Sequence, residues 1–333
     1  MTHAELAHVV RSGTVESVHL GSLVALGADG RPAVVLGDVE RPIMPRSSNK
    51  PLQAAGMLHA GLDLDGQLLA LAAASHSGER YHLDGVRRML APAALPLEAL
   101  ANAPDLPLDE AERLDWVRAG RPASSLAQNC SGKHAAMLRT CVAAGWSTEG
   151  YLRPDHPLQR SLRGAVSRLA GEDAPVVAVD GCGAPVFALS LLGLARAFSA
   201  LATAAPGTPE RRVAAAVSAH PEWLGGTGRP ITQLLRGRPG LVAKEGAEGV
   251  FAAALPDGRA VAFKISDGSA RPVFAVAAAA LRRLGSQAVD GAEPAVEPVL
   301  GGGAPVGEIR AVGLDVGPDV GPDESRPVSA ATM

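Results

Sequence analysis

No apolar run in the sequence approaches the length needed to span a bilayer. Residues 1–11 are polar and mixed in charge, without the apolar core of a secretory signal. No block of Lys and Arg stands out and the net charge is only −3, which argues against a nucleic-acid footprint or a polybasic lipid-binding patch. There are three cysteines, Cys130, Cys141 and Cys182, an odd and small number that argues against a disulfide framework. Aromatic residues make up 3% of the chain, and with Ala, Gly and Pro abundant this reads as compositional bias rather than a functional signature. The expectation is a soluble, cytosolic protein. What the chain does have is core: 47% of its 333 residues are apolar, enough for one large domain or two small ones sharing a core.

Two β-rich regions flank a helical middle. Residues 13–40 contain two β-runs joined at Asp29-Gly30, a hairpin signal. From Gly240 the chain turns β again: Leu241–Gly246, then Val250–Leu255 and Ala260–Ile265 paired across Asp257-Gly258. The spacing predicts helices over about 51–61, 82–90, 108–119, 131–144, 156–169, 186–198, 209–219, 231–235 and 270–284. Ser131 is the expected N-cap of its helix, and Gly78 a candidate C-cap after the apolar run Gln67–Ala74. A short strand is expected over Val176–Val179. The fold class is therefore α+β, in mixed α/β layers, with an antiparallel sheet built from both chain ends (about 13–45 and 240–284) around an inserted helical region (about 46–239). Residues 1–313 form one unit; 314–333, with its Val-Gly-Pro-Asp repeat, is expected to be a disordered tail.

Chemistry concentrates in Arg46-Ser47-Ser48-Asn49-Lys50-Pro51. A serine and a lysine three apart at a helix start share one face, so the Lys50 amine can serve Ser47 as its base if burial or a neighbouring cation lowers its pKa. Two further fragments follow in order: Ser75-x-Ser77, where polar residues abruptly end a buried run, and Lys244-x-Gly246 on a strand before the last hairpin. The ordered set parallels the Ser-x-x-Lys, Ser-Asp-Asn and Lys-Thr-Gly elements of serine β-lactamases and penicillin-binding proteins, with the middle element altered. Cys130-x-x-Lys133 and the distant Cys182 both lie in Gly-rich polar turns; two thiolates meeting there would suit Zn²⁺, with a neutral lysine amine as an unusual third ligand. The alternative is two small buried hydrophobes, which is how Cys141, in an apolar helix, is read. His82, His156, Glu222 and the charges between Asp105 and Glu112 are assigned to the surface, and His220 to loop packing.

Together with Asn129-Cys130-Ser131-Gly132-Lys133-His134, Asp180-Gly181-Cys182 and Gly240-Leu241-Val242-Ala243-Lys244, these fragments resemble the asparaginase II family, the zinc-containing L-asparaginases of the rhizobial type, from about Val15 to Val312. The resemblance implies a serine β-lactamase/glutaminase-like fold, a homodimer, and hydrolysis of L-asparagine to L-aspartate and ammonia. It implies Ser47 as nucleophile with Lys50 as base, and Ser75 with Lys244 as a second Ser-Lys tandem. Cys130, Lys133 and Cys182 would bind one zinc ion per chain, with water completing the shell. Asp180 and His134 would lie near substrate, and Arg46 and Asn129 are further substrate-binding candidates. The competing expectations are a glutaminase or other amidase on the same machinery, and a catalytically dead zinc-stabilised amino-acid-binding protein.

Overall fold

The computed structural model describes residues 2–174, 177–294 and 296–314. Strands β1 (Ala4–Arg11), β2 (Thr14–Leu26) and β3 (Pro32–Leu36) come first; β4 (Val177–Val179) and β5 (Pro185–Phe187) form a small ribbon mid-chain; β6 (Val242–Gly246), β7 (Val250–Ala254), β8 (Ala260–Ile265), β9 (Val299–Gly301) and β10 (Ala304–Ala311) close the chain. The main sheet is antiparallel, in the order β6-β7-β8-β2-β1-β10-β9, with β3 alongside β2. It is thus assembled from both chain ends, and the helices lie between: α1 (Lys50–His59), α2 (Gly66–Ala72), α3 (Arg80–Leu90), α4 (Glu110–Arg118), α5 (Ser131–Ala143), α6 (Pro157–Ala170), α7 (Leu191–Thr203), α8 (Pro209–Ala219), α9 (Pro221–Leu224) and α10 (Pro230–Arg236), with α11 (Val273–Arg283) inside the last sheet block. Among the described residues, no helix is long and apolar enough to cross a membrane.

Every residue of β7 is buried, so both of its faces are covered. Helix α7 packs on β2, β7 and β8, and α11 packs against β1, β7, β8 and β10. A strand buried on two faces needs apolar residues throughout, which is why Val-Phe-Ala-Ala-Ala shows no alternation. Both expected Asp-Gly turns form; the glycines Gly30 and Gly258 take φ +76° and +93°, the left-handed region that a side chain disfavours.

The sheet is wider than the sequence suggested. Strand β1 pairs with β2 on one side and β10 on the other, and β9–β10 extends the sheet beyond residue 284. Three local expectations are corrected. The segment from Val186 opens as strand β5, and its helix begins only at Leu191, where the Ser190 hydroxyl accepts from the Gly193 N–H at 2.8 Å. Helix α5 is capped at Cys130 without a side-chain bond, and Ser131 turns inward instead. Helix α2 ends at Ala72, so Gly78 is no C-cap; its φ of +92° lets the backbone pass Pro107. Of the expected tail, Leu314 is buried in the core; residues 315–333, like Val176 of the expected short strand, lie outside the described residues.

Candidate active site

The chain reaches the site through Pro45 and a single 3-10 turn, Arg46–Asn49, that runs straight into α1. Arg46 holds φ +52°, a left-handed conformation that is strained for a side chain with a Cβ. Its neighbours hold it there: Arg46 Nε donates to Asp180 Oδ1 at 2.7 Å, and Ser48 Oγ donates to the Pro45 carbonyl at 2.7 Å. Ser47 is half-buried, and its hydroxyl has no hydrogen-bond partner among the described residues. Strand β6 backs onto this turn at backbone contact. A Cβ on Gly246 would sit 2.6 Å from the Pro45 carbonyl oxygen and 3.0 Å from the Ser48 nitrogen. Residues two apart on a strand share a face, so Lys244 leaves β6 on the side that meets the Ser47 turn.

Helix α1 is buried from Lys50 to Leu58, which carries the Lys50 amine into the interior. Lys50 Nζ donates to the Ala74 carbonyl at 2.5 Å, to Ser75 Oγ at 3.0 Å and to Cys130 Sγ at 3.2 Å. The serine that Lys50 touches is therefore Ser75 rather than Ser47, and Lys244 bonds to neither; its amine donates to the Glu245 carbonyl at 2.8 Å. The Ser75–Ser77 segment does enter the interior, as its polar break suggested. Its N–H groups are met by the carbonyls of Leu224 (3.1 Å), Asn129 (3.0 Å) and Gly225 (2.8 Å), so this extended piece has no unpaired backbone donor.

Cys130, Cys182 and Ala184 form a small buried cluster apart from the main core. Lys133 Nζ donates to Cys182 Sγ at 3.3 Å, and Asp180 Oδ2 lies 4.0 Å from the same sulfur. The two thiols interact: a hydrogen bond from Cys182, helped by the charges of Lys50 and Lys133, holds Cys130 well below the usual thiol range despite its burial. Cys182 is pushed up by the same bond and by burial. Burial works against the Asp180 carboxylate, but the charges of Lys133 and Lys50 and the bond from Arg46 outweigh it and hold its pKa down. Burial alone would lower Lys133, yet the two thiols and Asp180 raise it. Lys244 is lowered to about 8: burial contributes most, Glu245 opposes it, and Lys50 and Arg229 push further down.

Three lysines with side chains this enclosed, Lys50 (0% exposed), Lys133 (2%) and Lys244 (0%), are the strongest anomaly in the molecule. Lysines are almost never fully buried without partners, and perturbed groups gathered in one place mark functional sites. A cavity of about 500 Å³ opens beside Arg46, lined by Ile43, Met44 and Leu191 among others, and neither Ser47, Ser75 nor these three lysines line it.

The remaining expected residues lie nearby. Asn129 is half-buried and its Oδ1 accepts from Gln128 Nε2 at 3.0 Å and from the Cys130 thiol at 3.2 Å. His134 is fully buried; its Nδ1 bonds the Tyr151 hydroxyl at 2.8 Å, and burial lowers its pKa well below the ordinary value. Cys141 is a core residue, its thiol pushed up to about 11 by burial. Two histidines assigned to the surface are not there. His82 is fully enclosed and stacks on His76 at 5.0 Å, and His156, only 9% exposed, accepts from the Leu158 N–H to cap α6. His82 also bonds the Glu222 carbonyl at 2.9 Å, a contact between distant positions that no local pattern marks, whereas His156 is held locally as the residue before Pro157 at the helix start. Sequence reasoning also missed Glu245 and Arg229, which reach the site as an ion pair 3.4 Å apart. The one signal was a carboxylate placed between Lys244 and Gly246 at the end of an otherwise apolar strand.

A family profile described as L-asparaginase II matches residues 7–311, from within β1 to the last residue of β10. The chain belongs to the L-asparaginase II family. Every site residue discussed above lies inside the L-asparaginase II match. A search of curated proteins finds no match. Among solved structures, Mglu in its native form is similar at 16% identity with a TM-score of 0.41, over 77% of this chain and 62% of that one. The chain thus spans less than two thirds of the length of that structure. A β-lactamase from Mycobacterium bovis is similar at 16% identity and a TM-score of 0.40, over 75% of this chain and 88% of that one. EstCE1, a hydrolase with promiscuous acyltransferase activity, is similar at 14% identity and a TM-score of 0.35, over 80% and 90%.

Proposed function

We propose that the protein hydrolyses L-asparagine to L-aspartate and ammonia through an acyl-enzyme on Ser47. The observation that carries this reading is a buried amine bonded to a serine hydroxyl, Lys50 to Ser75 at 3.0 Å, one helical turn from a second serine, Ser47, that is half-buried and whose hydroxyl has no partner among the described residues. Ser47 attacks the side-chain amide carbon and its proton goes to a lysine. The C–N bond breaks, the proton returns to the leaving amine and ammonia departs. Water then hydrolyses the ester, regenerating the Ser47 hydroxyl and releasing the carboxylate.

Of the two amines flanking the turn, Lys50 commits its donors to three acceptors, which suits it to orienting Ser75 and relaying charge. Lys244, at about 8, is the better proton acceptor, because a general base works best with a pKa near the operating pH. The Ser48 N–H is already given to the Pro45 carbonyl at 3.2 Å, which leaves the Ser47 N–H at the start of the turn as the donor for the developing oxyanion; losing such a donor costs about a hundredfold or more. Asp180, anionic and held by Arg46, suits the substrate ammonium, and Arg46 its carboxylate.

Zinc fits the donors present. Cys130 and Cys182 are clustered free thiols, one of them ready to ionise, and Lys133 lies against the second. Among the described residues no three His, Cys, Asp or Glu side chains converge, so the amine of Lys133 has to complete the set. Bound there, the ion would supply a fixed positive charge next to Asp180 for substrate binding.

The test is ammonia release from L-asparagine, with trapping of the acyl adduct. Wild type should release ammonia and carry the adduct on the peptide containing Ser47; Ser47→Ala should do neither. An adduct on Ser75 would reverse the roles of the two serines. Silence from both proteins, with L-asparagine still raising the melting temperature, would sink the hydrolase reading in favour of an amino-acid-binding protein.

A further inference from the structure

Glu245 has no part in the reaction outlined above, yet among the described residues it is the carboxylate that reaches Lys244. Glu245 Oε2 lies 3.2 Å from Lys244 Nζ, and its other oxygen, Oε1, accepts from Arg229 Nη2 at 3.4 Å. The side chains are 0% exposed for Lys244, 13% for Glu245 and 26% for Arg229, so little water screens the three charges. Arg229 arrives on the loop after α9. That loop is stitched to the Ser75 segment through the Ser77 hydroxyl on the Gly225 carbonyl (2.9 Å), and the Thr227 N–H donates to Glu79 Oε2 (3.0 Å). One loop therefore joins the strand of Lys244 to the segment of Ser75.

A carboxylate shared between two cations is a balance. Drawn toward Lys244 it stabilises the ammonium form; drawn toward Arg229 it leaves the lysine freer to lose its proton. The guanidinium also repels the ammonium directly. Lys50, entering from α1, adds repulsion from the far side. Without the carboxylate, burial and two neighbouring cations would leave an amine too weakly basic to take a proton well. With the carboxylate unbalanced, the lysine would stay charged. We propose that Glu245 and Arg229 act as a pair of positioning residues that set the protonation of Lys244, Glu245 favouring the ammonium and Arg229 restraining Glu245. This rests on the assignment of Lys244 as proton acceptor under Proposed function.

The pair predicts shifts of opposite sign. Glu245→Gln keeps the shape and removes the charge, so the acid limb of kcat/KM for L-asparagine should move to lower pH by about one unit. Arg229→Gln should move it to higher pH, and Arg229→Lys, which keeps the charge, should stay close to wild type. The amine itself is read by NMR titration of isotope-labelled lysine in a Ser47→Ala background, where nothing turns over. Opposite shifts of the Lys244 resonance in the two Gln variants support the proposal; shifts in one direction, or none, overturn it. If the resonance moves as expected while the kinetic limb stays fixed, the pair stands and the assignment of Lys244 as base falls. Should Glu245→Gln fail to fold, the two Arg229 variants carry the comparison: a resonance raised by Gln and restored by Lys supports it, and equal values overturn it.

Discussion

Gly246 shows how tightly one residue fixes the site. The strand carrying Lys244 and the turn carrying Ser47 meet backbone to backbone, and a methyl group there would press against the Pro45 carbonyl at 2.6 Å. Neither partner is a flexible side chain that could swing away. Gly246→Ala should therefore destabilise the fold by about 1–3 kcal/mol, the usual cost of overpacking. It should also lower kcat/KM, since β6 has to retreat and takes Lys244 with it. Melting temperature and ammonia release check the two effects; an unchanged melting temperature would mean that the contact relaxes without strain. Part of the site could be read from sequence at this scale. Ser47 and Lys50 are local neighbours, so spacing alone put them on one turn. The pairing of Lys50 with Ser75 is a tertiary contact across 25 positions, and spacing carried no information about it. The Arg229–Glu245 pair was hidden for the same reason.

Elements with a regular pattern were the legible ones. Helix α8 and strands β7 and β8 fall where periodicity or continuous apolarity placed them. Strand β1 was missed because Ala-Glu-Leu-Ala-His-Val-Val-Arg mixes charge with apolar residues, and its second partner, β10, lies some 300 residues away. The proposed zinc site also belongs to the scale of elements. Cys130 and Lys133 sit at the start of α5, and Cys182 on the turn between β4 and β5. A zinc ion would tie these two elements together, and only the folded chain presents the three donors. Zinc at about a hundred times its dissociation constant should stabilise the fold by about 2.7 kcal/mol. Differential scanning fluorimetry should show a rise in melting temperature with zinc, its loss with a chelator, and no response in Cys182→Ala. The zinc effect should grow with rising pH, because thiols and amine must shed protons to bind. A melting temperature indifferent to zinc in wild type would leave the two thiols as packing alone.

At the scale of the molecule, the governing fact is that strands from both ends of the chain join in one sheet. Strands β1–β3 and β6–β10 are separated by the helical middle, yet β2 pairs with β8 over six residues and β1 with β10 over five. The helices interlock across the same divide: α8 packs on α1, α2 and α7, all earlier in the chain. The exposed loop around Gly207, between α7 and α8, takes part in no ladder. Cutting the chain there with an inserted protease site should leave two fragments that still share one sheet and one core. Each fragment alone would expose a sheet edge and the apolar faces its partner covered, so dissociation costs far more than the cut itself gains in chain entropy. The nicked protein should co-elute as one species in size-exclusion chromatography and separate only in denaturant. It should retain ammonia release, because the turn of Ser47 and the strand of Lys244 come from different fragments and are held by these ladders. Fragments that part without denaturant would show that the covalent chain, not the shared sheet, keeps the two halves of the site together.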